Sequence, residues 1–154
     1  MSRFLLRIPV PWVFVLTYLI GVVFEATVPI QTAQRLNANV MLPVGALVFS
    51  IGAIIAGWGL VTFRRARTTT VPGQTSVQLV TWGPYRFSRN PMYVALAIAY
   101  LGETFILRQI WPLILLPFTL AYVNWVVIPL EERTLSDTFP EGYQRYQGRV
   151  RRWL

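Results

Sequence analysis

The chain has 154 residues, enough for one domain, and 55% of them are apolar while only 13% are charged, about half the charged share of an ordinary soluble domain. A soluble globule is therefore not expected. All 14 basic residues are Arg against 6 acids, a formal charge of +8, which favours membrane lipids with anionic headgroups, or an anionic ligand, as partners and gives no reason to expect nucleic acid. With no Cys and no His, disulfides, thiolate nucleophiles, imidazole bases and the commonest zinc ligands are absent, so zinc hydrolases and His-dependent triads are excluded and no metal site is expected.

In chain order, residues 8–24 form the first uncharged run, residues 36–63 a second of 28 and residues 109–130 a third of 22. Each is long enough, or nearly so, to cross a hydrocarbon layer of about 30 Å as a helix. Residues 91–107 are interrupted only by Glu103 and predict a shorter or oblique span. The first run follows Arg3 and Arg7 as a signal peptide would, but no small-residue cleavage site follows it, and it is read as a span. The expected fold is all-α: a single domain over residues 1–154, with membrane spans at about 9–28, 40–63, 91–107 and 110–130 and a C-terminal amphipathic interfacial helix.

Twelve arginines fall before the first span, between the second and third (Arg64, Arg65, Arg67, Arg86, Arg89) and after the fourth, and only Arg35 and Arg108 fall on the other side. The positive-inside rule then places both termini and the loop over residues 64–90 in the cytoplasm, in a multi-pass protein of the cell membrane. In the second span, Ala46 with Ser50, Gly52 with Ala56, and Ala53 with Gly57 are small pairs that let another helix approach.

The loop carries turn signals at Pro72-Gly73 and Gly83-Pro84 and ends in Gly83-Pro84-Tyr85-Arg86-Phe87-Ser88-Arg89-Asn90-Pro91-Met92-Tyr93. Asn90 is suited to capping the third span and Pro91 to its first position. A helix start flanked by Arg86 and Arg89 suits a carboxylate or phosphate; the alternative is that these arginines meet lipid phosphates. Glu131 and Glu132 stand at the expected end of the fourth span, where acids oppose the helix dipole, and at about 100° apart only one of them is expected to face a shared pocket. Pairing with Arg133, Arg86 or Arg89 is the structural alternative. Beyond them Phe139, Tyr143, Tyr146, Val150 and Trp153 recur at helical spacing, the interfacial helix of the expected fold. Glu25 and Glu103 are the acids inside apolar runs, and a structural role, pairing with Arg35 or Arg108 or reaching outward, is expected for both.

The succession Gly83-Pro84-Tyr85-Arg86, Arg89-Asn90-Pro91-Met92-Tyr93, Glu131-Glu132, then Tyr143 and Tyr146 before Arg149-Val150 resembles the isoprenylcysteine carboxyl methyltransferases and their phospholipid methyltransferase relatives over roughly residues 68–152. The resemblance implies an S-adenosylmethionine-dependent enzyme whose cofactor lies at the cytoplasmic face between the start of the third span and the Glu pair. It implies cofactor contacts for Arg86, Arg89, Asn90, Tyr93, Glu131, Glu132, Tyr143, Tyr146 and Arg149, and assigns no catalytic residue. Asn90 stands where the family usually has His, which keeps a donor and an acceptor but removes a titrating group. The chemistry agrees: cationic donors suit the cofactor's methionine carboxylate, carboxylates suit its amino and ribose groups, and aromatic faces suit adenine or sulfonium. The acceptor implied is lipid-like or amphipathic, a carboxylate, amine or thiol. Two other functions compete, a nicotinamide-dependent reductase of a membrane lipid and a non-enzymatic four-helix protein. The Glu pair without a further phosphate-binding motif favours the methyltransferase, and oligomeric state stays open.

Overall fold

The computed structural model describes residues 9–30, 37–66 and 78–154. Arg3, Arg7, Arg35, Arg67 and the Pro72-Gly73 turn signal lie outside the described residues. Among those described, every regular element is a helix. Helix α1 is Val10–Thr27, α2 is Ala38–Ala66 and α3 is Pro91–Leu107, with a 3-10 turn at Gly83–Arg86 between the last two. Helix α4, Ile110–Tyr122, continues through a π-helical turn at Val123–Val127 into α5, Ile128–Thr138, and α6 is the short Pro140–Gln147.

Three of these helices are long and apolar enough to cross a membrane: α1, α2 and the continuous 110–138 helix; α3, with 17 residues, is shorter. At 1.5 Å per residue α3 reaches only about 26 Å, so it leans on its neighbours. The lean is on α2, through glycines seven residues apart. A Cβ on Gly45 would stand 2.6 Å from the Ile106 nitrogen, and one on Gly52 2.6 Å from that of Ala99. Gly59 is filled from the other side by the Met92 thioether. The close approach of helices expected from small residues is present, but its register is Gly45, Gly52 and Gly59; Ala46, Ser50, Ala53 and Gly57 lie on the exposed side of α2. Two helices at slightly different inclinations keep contact only where the heptad brings the same face round, which selects the seven-residue set over the four-residue pairs.

Helix α1 packs on α4 and α3. Phe14, Tyr18, Tyr100 and Leu116 share one buried cluster, with the Tyr18 and Tyr100 rings edge to face at 4.9 Å. Glu25 has a structural role: its Oε2 accepts the Ile110 and Trp111 N–H groups at 3.0 and 3.2 Å, closing the start of α4 where free N–H groups and a positive helix end await an anion.

The helix bearing the Glu pair departs most from expectation. It does not end at residue 130 but runs on to Thr138, so Glu131 sits in the first turn of α5 and Glu132 directly after it, clear of any C-terminal dipole. Pro129 has no N–H to give the carbonyl four residues back, and the π turn ends beside it, with the Ile128 N–H bonded to the Val123 carbonyl five residues earlier. The extra residue in that turn rotates everything beyond it, including both acids. The C-terminal helix is also shorter than expected. It stops at Gln147, leaving Val150 and Trp153 beyond its end, and Tyr143 and Tyr146 are buried against Val80 and Tyr85 of the loop.

Candidate functional site

The loop before α3 is held from both sides. Gly83 has a φ of +65°, and a Cβ there would lie 2.6 Å from the Thr62 hydroxyl of α2, so glycine is required for both conformation and space. The turn it opens buries Tyr85 against Phe63, the rings 5.1 Å apart and edge to face. From α6, the Tyr146 hydroxyl donates to the Tyr85 carbonyl at 2.6 Å. Burial pushes the hydroxyls of Tyr85, Tyr143 and Tyr146 above their ordinary pKa; the Tyr146 charge adds to this at Tyr85, Glu132 at Tyr143 and Tyr143 at Tyr146. All three are therefore neutral donors at physiological pH, not bases.

The chain end then returns across this loop. The Arg89 N–H donates to the Arg151 carbonyl at 3.0 Å, and the Asn90 Nδ2 donates to the Arg152 carbonyl at 2.9 Å. Trp153 anchors the return by donating from Nε1 to Asn124 Oδ1 in the π turn at 2.9 Å. Asn90 therefore occupies the position before α3, with Pro91 first in the helix as expected, but its side chain makes no capping hydrogen bond. The expected cap is replaced by a tie to the tail. Its Nδ2 finds a buried carbonyl there, and the backbone carbonyl of Asn90 accepts the Tyr93 and Val94 N–H groups that open the helix.

The tail, the loop and α5 converge on four charges. The Tyr93 hydroxyl donates to Glu131 Oε1 at 2.6 Å, a short charge-assisted bond. Glu132 is gripped by Arg152 through both oxygens, Nη2 to Oε2 at 2.7 Å and Nε to Oε1 at 3.2 Å. Arg89 Nη1 lies 3.1 Å from the same Oε1. That is an ion pair by distance, but its N–H is not aligned for a hydrogen bond, and Arg89 Nε and Nη1 are buried with no hydrogen-bond partner among the described residues. The Arg89 and Glu132 side chains are each 14% exposed, and Arg152 is 36% exposed. Both acids thus turn toward the start of α3, Glu131 to Tyr93 and Glu132 to Arg89. Long carboxylate side chains on adjacent residues span the 100° between them when partners stand on both sides.

Of the nine positions singled out in the sequence, Arg89, Asn90, Tyr93, Glu131 and Glu132 meet here, with Tyr143 close enough to feel the Glu132 and Arg89 charges. Tyr146 braces the loop behind them. Arg86 and Arg149 are exposed, and the Arg86 guanidinium rests 5.5 Å from the Phe87 ring centre. Sequence reasoning missed Arg152, Asn124 and Trp153. Arg152 was legible only as one of several basic tail residues.

Comparison with known proteins decides the family. A profile described as phospholipid methyltransferase matches residues 40–142, from α2 into α6 and across the whole Arg89 to Glu132 stretch. The chain belongs to the phospholipid methyltransferase family. That is a family of membrane methyltransferases whose members typically use S-adenosylmethionine. The chain is also similar to the nickel-cobalt-cadmium resistance protein NccN of Alcaligenes xylosoxydans xylosoxydans, 34% identical over 71 residues, which are 46% of this chain and 33% of that protein. The match thus spans about a third of that relative's length. No solved structure matches.

Proposed function

We propose that this chain transfers a methyl group from S-adenosylmethionine to a lipid-like or amphipathic acceptor at the cytoplasmic face of the membrane. The observation that carries the reading is Arg89, a buried guanidinium whose Nε and Nη1 make no hydrogen bond among the described residues, although Nη1 is ion-paired with Glu132 at 3.1 Å. Native folds rarely leave charged donors unsatisfied in the interior, and those that do are explained by a ligand or a held strain. A carboxylate suits these donors in charge. Glu131 and Glu132 suit the amino and ribose groups of the same molecule.

When bound, the cofactor supplies a methyl carbon on a sulfonium, open to in-line displacement by a nucleophile. The protein's part is then to hold the donor's polar end and to keep water from the methyl. With no imidazole or thiol in the chain and the neighbouring tyrosines held neutral, an acceptor that arrives ionised, a carboxylate or thiolate, suits the site better than an ammonium that must first lose a proton. The cytoplasmic placement rests on the arginine bias, since the site lies at the arginine-rich ends of α2, α3 and α5.

The test is incubation of detergent-purified protein with methyl-labelled S-adenosylmethionine and, separately, a prenylated cysteine, phosphatidylethanolamine vesicles and a small hydrophobic thiol. Label in one acceptor, above that of an Arg89→Gln control, is the expected result. No transfer to any of them, together with calorimetric binding of NADPH but not of S-adenosylhomocysteine, would move the chain to the reductase reading.

A further inference from the structure

We propose that Arg152 is a positioning residue whose grip on Glu132 keeps Arg89 open for an anionic ligand. A guanidinium beside a carboxylate ordinarily pairs with it edge to edge through two parallel hydrogen bonds. Arg89 and Glu132 are close enough for this, at 3.1 Å, and do not do it. The reason lies on the other side of the carboxylate. Arg152 already uses Nε and Nη2 on both Glu132 oxygens, at 3.2 and 2.7 Å, which fixes the carboxylate plane toward the tail. Arg89 is left with Coulomb attraction to one oxygen and two unspent donors. Arg152 cannot drift from this position easily. Its carbonyl is held by Asn90 Nδ2, the carbonyl before it by the Arg89 N–H, and the residue after it by Asn124.

The arrangement divides labour between two arginines on one acid. Arg152, the more exposed, takes both Glu132 oxygens, and Arg89, the more buried, keeps Nε and Nη1 without a hydrogen bond among the described residues. Without Arg152, the Glu132 carboxylate is free to turn its plane onto Arg89, and the internal pair would then consume the donors that a ligand needs. The prediction is counterintuitive: removing one cation should weaken recognition of an anion bound to a different cation.

The inference rests on the methyl-donor reading, and the experiment separates the two. Calorimetry on detergent-solubilised protein compares S-adenosylhomocysteine with its decarboxylated analogue, which keeps the nucleoside, thioether and amine but lacks the carboxylate. In the unaltered protein the carboxylate should be worth at least roughly tenfold in affinity. Arg152→Gln should bring that ratio to within about threefold of one, by weakening the homocysteine compound while the analogue is nearly unaffected. Arg152→Lys keeps the charge but cannot grip both oxygens, so its ratio should also fall, and it decides the matter if the Gln variant does not fold. A ratio unchanged from the unaltered protein, or both ligands weakened equally as a purely structural tie would cause, overturns the role of Arg152 alone. Binding of neither compound to the unaltered protein would instead overturn the methyl-donor reading and this inference with it.

Discussion

Asn90 shows how a residue type can be read correctly for its chemistry and wrongly for its partner. Its position before Pro91 invites a capping role, yet its amide donates to the Arg152 carbonyl. The two roles make opposite predictions for Asn90→Asp. Aspartate is as good a cap as asparagine, but it cannot donate and would set a negative oxygen against a carbonyl, so we expect a loss of about 1 to 2 kcal/mol in thermal or denaturant melts. An Asp variant as stable as the original would restore the capping assignment. Tyr146 yields a second prediction. Its pKa and those of Tyr85 and Tyr143 are raised by burial, so above pH about 10 the unfolded chain loses protons that the folded chain keeps. The stability from this source is complete below that pH and is lost as pH rises further. Tyr146→Phe, which also removes the bond to the Tyr85 carbonyl, should cost about 1 kcal/mol at neutral pH and flatten the alkaline decline. A melting temperature constant to pH 11 in the unaltered protein would contradict the account.

At the scale of the element, the contact of α2 with α3 gives the sharpest contrast. Gly52→Ala would place a carbon 2.6 Å from the Ala99 nitrogen and 2.7 Å from the Ala95 carbonyl oxygen, both backbone, so the helices must part. The expected cost is about 1 to 3 kcal/mol. Gly57→Ala meets nothing within 4 Å and should be neutral or stabilising by up to about 1 kcal/mol. Equal effects of the two in detergent melts would mean the helices do not pack in this register. Uncharged runs announced the helices well, because a run of such length has few alternatives to a helix. Which glycines mattered was hidden, since that depends on how α3 inclines to its neighbour. The π turn was hidden too: the helix absorbs Pro129 by widening a turn, and so carries Glu131 and Glu132 on into α5.

For the molecule as a whole, the arginine bias predicts that the site faces the cytoplasm. The absence of cysteine makes single-cysteine labelling clean. Cysteines at Gln78 and Gln147 should react only from the cytoplasmic side, and one at Asn37 only from the opposite side; the reverse pattern would move the site and its substrate to the other compartment. The charges of the site were legible because Arg89, Glu131 and Glu132 are conspicuous beside apolar runs. The pairing of Glu132 with Arg89 was among the alternatives read there and is present, but the return of residues 151–153 across them was not legible, because partners some 20 to 60 positions apart are chosen by the tertiary fold. The central claim is that the donors left open on Arg89 bind the carboxylate of S-adenosylmethionine, and calorimetric titration of S-adenosylhomocysteine into the unaltered protein and into Arg89→Gln tests it most directly. The account predicts binding to the first and a loss of about 10- to 150-fold in the second, with the fold retained; equal affinities in the two folded proteins, or no binding to the unaltered one, would contradict it.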